Sequence, residues 1–512
     1  MPPVRPFELT TEQAAARSAF VDGRHIALDA GAGTGKTATL MVLGYSLTGT
    51  PKKALYLAYN KAMQVDAEKK FPRNVECRTT HSVAYRWRAQ GWGRPALDGR
   101  LKGKRPPLRE TQRHLRVTSP ARVNDAVVLA PQQIVSIAME AVERFTYSAD
   151  RELLPRHVPR KPPIDSYEDH KTLIAIVLPV AKRIWDDLES PRGSCRYTPD
   201  VYLKAYSLSD PTLGYDVVFL DEAQDTNPAV AHVFTSQCHA QLVAVGDANQ
   251  SIYQWRGAEN FLADYSARSE VKHLFLTQSW RFGPEVAALA NDCLGLLDSD
   301  LRITGAPNLD TKVGMFDGVP DAVLCRGNAQ AVVEVIQFHA DGVKVHLASS
   351  AGKNIRGYAQ AALDLKEKGI TWHPELCLFT SWGQVQEYVE QCPEGKDLGT
   401  VVKLIDTHGP DVIIDAIDKC ADEKGAQVTV TTAHSSKGRE WDRVRIADDW
   451  RDPKDDDGKP LQLDSSEYRL AYVALTRGRK NMNPGQLGGI IASRLRLEQQ
   501  DPGSERPRGG NQ

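Results

Sequence analysis

Between Asp29 and Leu40 the chain reads DAGAGTGKTATL, and no other stretch restricts its fold so tightly. An apolar run, HIALDA (25–30), leads into it, and a helix-compatible run leaves it. Gly31, Gly33 and Gly35 let the backbone curl so that its N–H groups face an anion. Lys36 can then reach the β- and γ-phosphates of a nucleoside triphosphate, and the Thr37 hydroxyl offers a hard oxygen to Mg2+. Ala30 stands at the first position of the G-x-x-x-x-G-K-[ST] spacing, a mild departure. The expected binding stretch is Ala30, Gly31, Ala32, Gly33, Thr34, Gly35, Lys36 and Thr37. A strand–loop–helix unit of this kind calls for a parallel sheet wrapped by helices.

Other segments supply such a sheet. KALYLAY (53–59), DVVFLDE (216–222), QLVAVGD (241–247) and VKHLFLT (271–277) read as buried strands, each followed by a turn and a helix-like segment. A second set follows: DAVLCRG (321–327), GVKVHLA (342–348), AQVTVTT (426–432) and DRVRIAD (442–448). The alternation predicts two α/β domains. From Ser82 to about Tyr202 the pattern turns helical with basic and Pro-rich loops, which predicts an insertion in the first domain.

VVFLDEAQD delivers Asp221 and Glu222 to the C-terminal end of an apolar strand, where open α/β sheets bind ligands. Asp221 is expected to hold Mg2+ through water, and Glu222 to polarise the attacking water as general base. With no other acceptor site apparent, ATP hydrolysis is favoured over transfer to a second substrate. NKAM (60–63) lacks the acidic residue of the guanine-reading N-K-x-D pattern, which disfavours GTP.

Sixty-four Lys and Arg against 65 Asp and Glu leave a net charge of −1, so any nucleic-acid site must be a local patch. Residues 85–116 crowd basic side chains around Trp87 and Trp92, the expected footprint of a backbone-tracking patch at a duplex junction, with a solvated basic loop as the plain alternative. DPKDDDGK (452–459) reads as a solvated loop. The eight cysteines contain no C-x-x-C pair, so neither a disulfide framework nor a zinc or iron–sulfur site is expected, and reduced cytoplasmic thiols fit better. MPPVRPFELT has no signal-peptide core. TLIAIVLPVA (172–181) is too short to span a bilayer, holds Pro179, and reads as a buried helix, so no membrane contact is expected.

Nine blocks then fall in a telling order: LTTEQ (9–13), AGAGTGKT (30–37), YNKAM (59–63), TTHS (79–82), LDEAQD (220–225), VGDANQSIYQWRGA (245–258), LTQSWRFG (276–283), TTAHSSKGREWD (431–442) and YRLAYVALTRGRK (468–480). Over roughly residues 7–480 the chain resembles the UvrD/Rep/PcrA-like branch of superfamily 1 DNA helicases. AEKKFPRNVECRTTHSVAYR and LTQSWRFGPEVA are most similar to the F-box DNA helicase group, with no F-box segment expected ahead of FELTTEQ.

The resemblance implies two RecA-like P-loop NTPase domains with ATP between them. Residues 1–85 and 203–285 would form the ATP-binding domain 1, with 86–202 its helical, basic insertion. Residues 286–348 and 426–490 would form domain 2, with 349–425 a reduced second insertion and 491–512 a disordered tail. It implies ATP and Mg2+ as cofactors, single-stranded DNA and single–double-strand junctions as partners, and 3′→5′ movement. Residue by residue, Gln13 would read the adenine edge, Trp280 would stack on the adenine, and Glu440 would approach the ribose or phosphate end. Gln250 would sense the γ-phosphate. Arg281 and Arg477 would reach it as arginine fingers, a contribution of roughly 10³–10⁵ in rate, and surface ion pairing is their plain alternative. Tyr253, Trp255 and Arg256 would stack on bases, a contact that tolerates any sequence. Asn60, Lys61, Thr80 and His81 would touch phosphate or sugar from the first domain, and His434 and Lys437 from the second.

Three functions stay open at this point: a helicase of DNA repair or recombination, a translocase that strips recombinase filaments from single strands, and an ATPase switch that recruits a nuclease in phage defence. A cytoplasmic, nucleoid-associated protein of bacterial or phage origin is expected. RKNMNPGQLGG (479–489) follows the arginine motif where relatives carry an apolar strand, so the last strand is expected to be weak, or the second domain to close differently.

Overall fold

His25–Ala30 form β1, and five of these six residues are buried, as a strand covered by helices on both faces requires. The computed structural model describes residues 9–104, 106–164, 166–252, 261–391, 396–454, 460, 461 and 463–500. It divides the chain into two units: Met1–Asp29, Lys36–Phe275 and Gly357–Asp411 in the first, and Ala30–Gly35, Leu276–Arg356 and Val412–Gln512 in the second.

The first unit continues with β2 (Ala54–Ala58) and β3 (Val75–Thr79), a short hairpin of β4 (Ala121–Arg122) and β5 (Val128–Leu129), then β6 (Val217–Leu220), β7 (Gln241–Gly246) and β8 (Val271–Leu276). The main sheet has the order β3-β2-β6-β7-β1-β8, with parallel pairing from β3 through β1. β6 and β7 are neighbours, so the loops leaving their C-terminal ends converge. β3 reads VECRT; its half-buried alternation suits an edge strand and is too polar for the apolar runs that reveal the central ones.

The insertion is helical. Pro131–Tyr147 buries Ile134, Ala138, Ala141 and Phe145 against a second helix, Tyr167–Leu188, which buries Leu173, Val177, Val180 and Ile184. TLIAIVLPVA lies inside the second of these, with Pro179 in its interior. The basic stretch is organised differently from expectation. Trp87 packs on Tyr206 at 5.5 Å and Trp92 on Tyr197 at 5.2 Å, both against the helical core. Arg88 lies between them, 5.1 and 4.5 Å from the two rings, and pairs with Glu189 at 2.6 Å. The interleaved aromatics are therefore packing groups, held by Tyr206, Tyr197 and the buried Arg88 between them. Arg100 is likewise committed, to the Cys195 carbonyl at 3.0 Å and to Asp187. Lys102, Lys104, Arg109 and Arg113 remain exposed. Within the same unit Lys161, 5% exposed, pairs with Glu140 and donates to the Pro374 carbonyl, fastening residues 357–411 to this insertion.

In the second unit β9 (Lys312–Val313), β10 (Ala322–Cys325), β11 (Val345–Leu347), β12 (Val428–Thr432), β13 (Trp441–Ile446) and β14 (Gly478–Asn483) form a parallel sheet of order β11-β12-β10-β13-β14-β9. The last strand is not weak: β14 is paired on both sides, Met482 is fully buried, and Arg479 and Lys480 turn outward to Asp442. The disordered tail expected from residue 491 is also corrected. A helix runs Gly485–Gln500, buries Leu487 and Ile491, and ties Arg494 Nε to Asp452 at 2.7 Å. Residues 501–512 lie outside the described residues.

Candidate nucleotide-binding site

In the first unit, Lys36 opens the helix Lys36–Tyr45, and its Nζ lies 3.7 Å from Glu222 Oε2. The Thr37 hydroxyl donates to Asp221 Oδ2 at 3.2 Å. Asp221 follows β6 and is 2% exposed; Tyr56 Oη donates to the same Oδ2 at 2.6 Å, and the Glu222 N–H to Oδ1 at 2.9 Å. Burial, and then the neighbouring Glu222, raise the Asp221 carboxyl above the usual carboxylate range. A hydroxyl and a buried carboxylate 3.2 Å apart are the hard-oxygen pair that suits Mg2+.

Glu222 adopts the left-handed backbone (φ 52°, ψ 44°), uncommon for a residue with a Cβ and concentrated at functional sites. Gln224 Nε2 donates to Glu222 Oε2 at 2.6 Å, while its Oε1 accepts the Asp247 N–H at 3.0 Å. A Cβ on Gly246 would lie 2.1 Å from that Oε1, so the link requires glycine there. Asp247 Oδ2 accepts from Gln250 Nε2 at 2.6 Å. Glu222, Gln224, Asp247 and Gln250 thus form one hydrogen-bonded chain. Gln13 completes a capping box with Thr10 and donates to Thr39 Oγ1 at 3.2 Å, beside the helix that Lys36 opens. Asp29, 8% exposed, has its carboxyl pushed up to about 7 by burial and then by Asp247, against the Ala248 N–H and Lys36.

In the second unit, the backbone of Ala30–Gly35 is pinned. Gly31 N–H donates to Leu276 O at 3.1 Å, and Trp280 N–H to Gly33 O at 2.9 Å. Ser279 Oγ donates to Ala32 O at 2.8 Å, and Ala32 N–H to Tyr472 Oη at 3.1 Å. Thr34 Oγ1 closes on Gly31 O at 2.8 Å. Gly33 (φ 76°) leaves space for Arg281, whose Cβ would sit 2.6 Å from a Cβ placed there, and Gly35 is also left-handed (φ 84°). Arg281 Nε lies 2.7 Å from Glu440 Oε2, and its Nη1 donates to Thr476 O at 3.3 Å. Trp280 is 56% exposed. Arg477 is 1% exposed and donates to the carbonyls of Val473 (2.8 Å) and Arg439 (3.3 Å). A surface ion pair is thereby excluded for Arg477.

The residues expected to face DNA are more scattered. Asn60 caps the helix Lys61–Lys70 by accepting from Met63 N–H, and Lys61 donates to Gln64 at 3.0 Å. Thr80 is buried at the start of Thr80–Trp92, and the half-exposed His81 lies 3.0 Å from Asp200. His434 and Lys437 lie in the loop after β12; burial, then Arg326, push the His434 imidazole down to about 4, so it is neutral near pH 7. Tyr253, Trp255 and Arg256 fall outside the described residues.

Sequence reading missed Tyr56, Gln224 and Asp247. Gln224 sits inside LDEAQD and Asp247 inside VGDAN, where a polar residue at a strand's C-terminal end was the available signal. Tyr56 gave none: it reads as one more strand aromatic.

Two parallel sheets, with Lys36 and Thr37 beside an Asp-Glu pair in the first unit, define the class, RecA-like P-loop folds. Residues 207–268 match the UvrD/REP helicase N-terminal domain, and residues 385–483 the UvrD-like helicase C-terminal domain. The chain thus carries both the N-terminal and the C-terminal domain of the UvrD-like helicase family. It is 30% identical over 508 residues to F-box DNA helicase protein 1 of Schizosaccharomyces pombe, across 90% of this chain and 55% of that protein. It is 27% identical over 499 residues to F-box DNA helicase 1 of Gallus gallus, across 90% of this chain and 47% of that protein. The RecBCD enzyme subunit RecB of Escherichia coli matches over 103 residues at 33% identity, 19% of this chain and 9% of that protein. The chain spans about half the length of the two long relatives. Their yeast and chicken sources give no support to the expected bacterial or phage origin. Among the described residues no helix is long and apolar enough to cross a membrane.

Proposed function

We propose that the chain hydrolyses ATP in response to single-stranded DNA and uses the cycle to move 3′→5′ and separate strands, in DNA repair or recombination. One observation carries the reading: Lys36 and Thr37 stand 3.7 and 3.2 Å from the carboxylates of Glu222 and Asp221, the pairing that phosphate binding and water activation require. In this reading the N–H groups of 30–37 cradle the phosphates and Lys36 neutralises them. Thr37 and Asp221 hold Mg2+, which would supply charge neutralisation at the phosphates. Glu222 takes the proton of the attacking water, and its left-handed backbone and the Gln224 bond hold its carboxylate in place. Arg281 and Arg477 offset the charge that develops on the transferred phosphoryl group. Gln13, Trp280 and Glu440 hold the base and sugar. Asn60, Thr80, His81, His434 and Lys437 grip the strand, with Tyr253, Trp255 and Arg256 stacking on its bases.

Hydrolysis measured in parallel with single-stranded DNA, duplex and RNA tests the substrate class. Unwinding of 3′-tailed against 5′-tailed duplex tests polarity, and a single strand coated with recombinase tests displacement. Glu222→Gln is expected to bind ATP and DNA together while losing turnover. Wild-type turnover in that variant removes the general-base role.

A further inference from the structure

Tyr56 occupies the middle of β2, in register with Phe219 of β6, and is fully buried. Its ring packs against Phe71 at 4.8 Å, a contact that phenylalanine would make equally well. Its hydroxyl is what needs explaining. The partner is Asp221 Oδ2 at 2.6 Å, a short bond of the charge-assisted kind. The opposite oxygen, Oδ1, receives the Glu222 N–H at 2.9 Å. The terminal torsion of an aspartate is soft and nearly two-fold. Two donors on opposite oxygens remove that freedom and fix the plane of the carboxylate. The side of Oδ2 left over faces Thr37 Oγ1 at 3.2 Å. Mg2+ demands near-ideal octahedral geometry and keeps several of its waters, so a carboxylate that receives those waters must be aimed.

We infer that Tyr56 is a positioning residue that aims Asp221 at the hydrated Mg2+ accompanying the nucleotide. The inference rests on the reading of Thr37 and Asp221 as the Mg2+ pair. Outer partners of a metal's ligands cost 10–100-fold in metal affinity when removed.

The test is Tyr56→Phe, which keeps the ring. A fluorescent ADP analogue is titrated onto the full chain at graded Mg2+ and, separately, in EDTA. The half-saturating Mg2+ concentration is expected to rise about tenfold, with affinity in EDTA unchanged. DNA-stimulated turnover is expected to recover at high Mg2+. Half-saturation does not depend on how much protein is active, so a modest loss of stability leaves the reading intact. An unchanged Mg2+ requirement overturns the inference, as does an equal loss with and without Mg2+. Asp221→Asn separates the two levels. If that variant raises the Mg2+ requirement and Tyr56→Phe does not, only the role of Tyr56 falls. If neither does, the Mg2+ pair itself falls.

Discussion

Asp29 offers the sharpest physical test, because its environment opposes its charge. It stands in β1 just before the phosphate loop, 8% exposed, and accepts one backbone hydrogen bond, from Ala248 at 3.2 Å. Its carboxyl is pushed from 3.8 up to about 7, first by burial and then by Asp247. A raised carboxyl favours the folded state in full only below pH 3.8; that advantage is lost as pH rises through 7. Each pH unit across this window costs about 1.4 kcal/mol, so the wild-type chain should lose about 2 kcal/mol between pH 5.5 and 8.5 through this group alone. Asp29→Asn removes the titration, and its side-chain oxygen can still accept from Ala248. The variant should therefore gain on the wild type as pH rises, with the gap in melting temperature widening by about 3 °C across that range for a unit of this size. The measurement is thermal unfolding at several pH values, following the transition of the unit that contains β1. A gap that stays constant from pH 5.5 to 8.5 would mean that Asp29 ionises freely in the folded chain.

Trp87→Ala should destabilise the helical insertion by about 2 kcal/mol and leave the salt dependence of DNA binding unchanged, since its ring packs on Tyr206. Neutralising the exposed Lys102, Lys104 and Arg109 should do the reverse: stability holds, and the slope of binding against salt falls by about 2, at about 0.7 per phosphate contact. Denaturant melts and DNA titrations at graded salt check both. Arg477→Ala should lower turnover by about 10³ and also cost stability, because the Val473 and Arg439 carbonyls lose a buried donor. Loss of stability with full turnover would leave Arg477 a packing residue.

The strands most legible in the sequence are those buried on both faces, because a central parallel strand must be apolar throughout: ALYLA, VVFL and QLVAVG declare themselves. Edge strands escape that rule. VECRT alternates, and Lys312–Val313 is too short to show any pattern. β14 was hidden for another reason: its outward residues are charged and satisfied by Asp442, a partner that sequence order places far away. The same limit applied to Trp87 and Trp92. Aromatic residues among cations fit a DNA patch and a cation–π packed helix equally well, and only the position of Tyr206 and Tyr197 decides between them. The phosphate loop and the Asp-Glu pair were legible because their chemistry is local in sequence. Tyr56 was not, because its function lies in one oxygen atom reaching across to the next strand.

That distinction bears on how hydrolysis could be felt elsewhere in the first unit. Glu222, Gln224, Asp247 and Gln250 are joined by bonds of 2.6, 3.0 and 2.6 Å, with Gln224 bonded to Glu222 through its amide nitrogen and to Asp247 through its amide oxygen. Gln224 cannot serve Glu222 and Asp247 at once if Gly246 carries a side chain, because the Cβ would occupy the space of its Oε1. In the proposed cycle Glu222 activates the water that attacks the γ-phosphate, and Gln250 senses that phosphate. Its departure changes what both side chains can bond to, and Gln224 ties their responses together. Gln250 closes the short turn Ala248–Gln250 and precedes Trp255 by five residues. Only five residues of sequence therefore separate that turn from an aromatic side chain proposed to stack on DNA. Coupling by so short a route requires no rearrangement of the sheet, which is consistent with β6 and β7 being buried and paired on both sides.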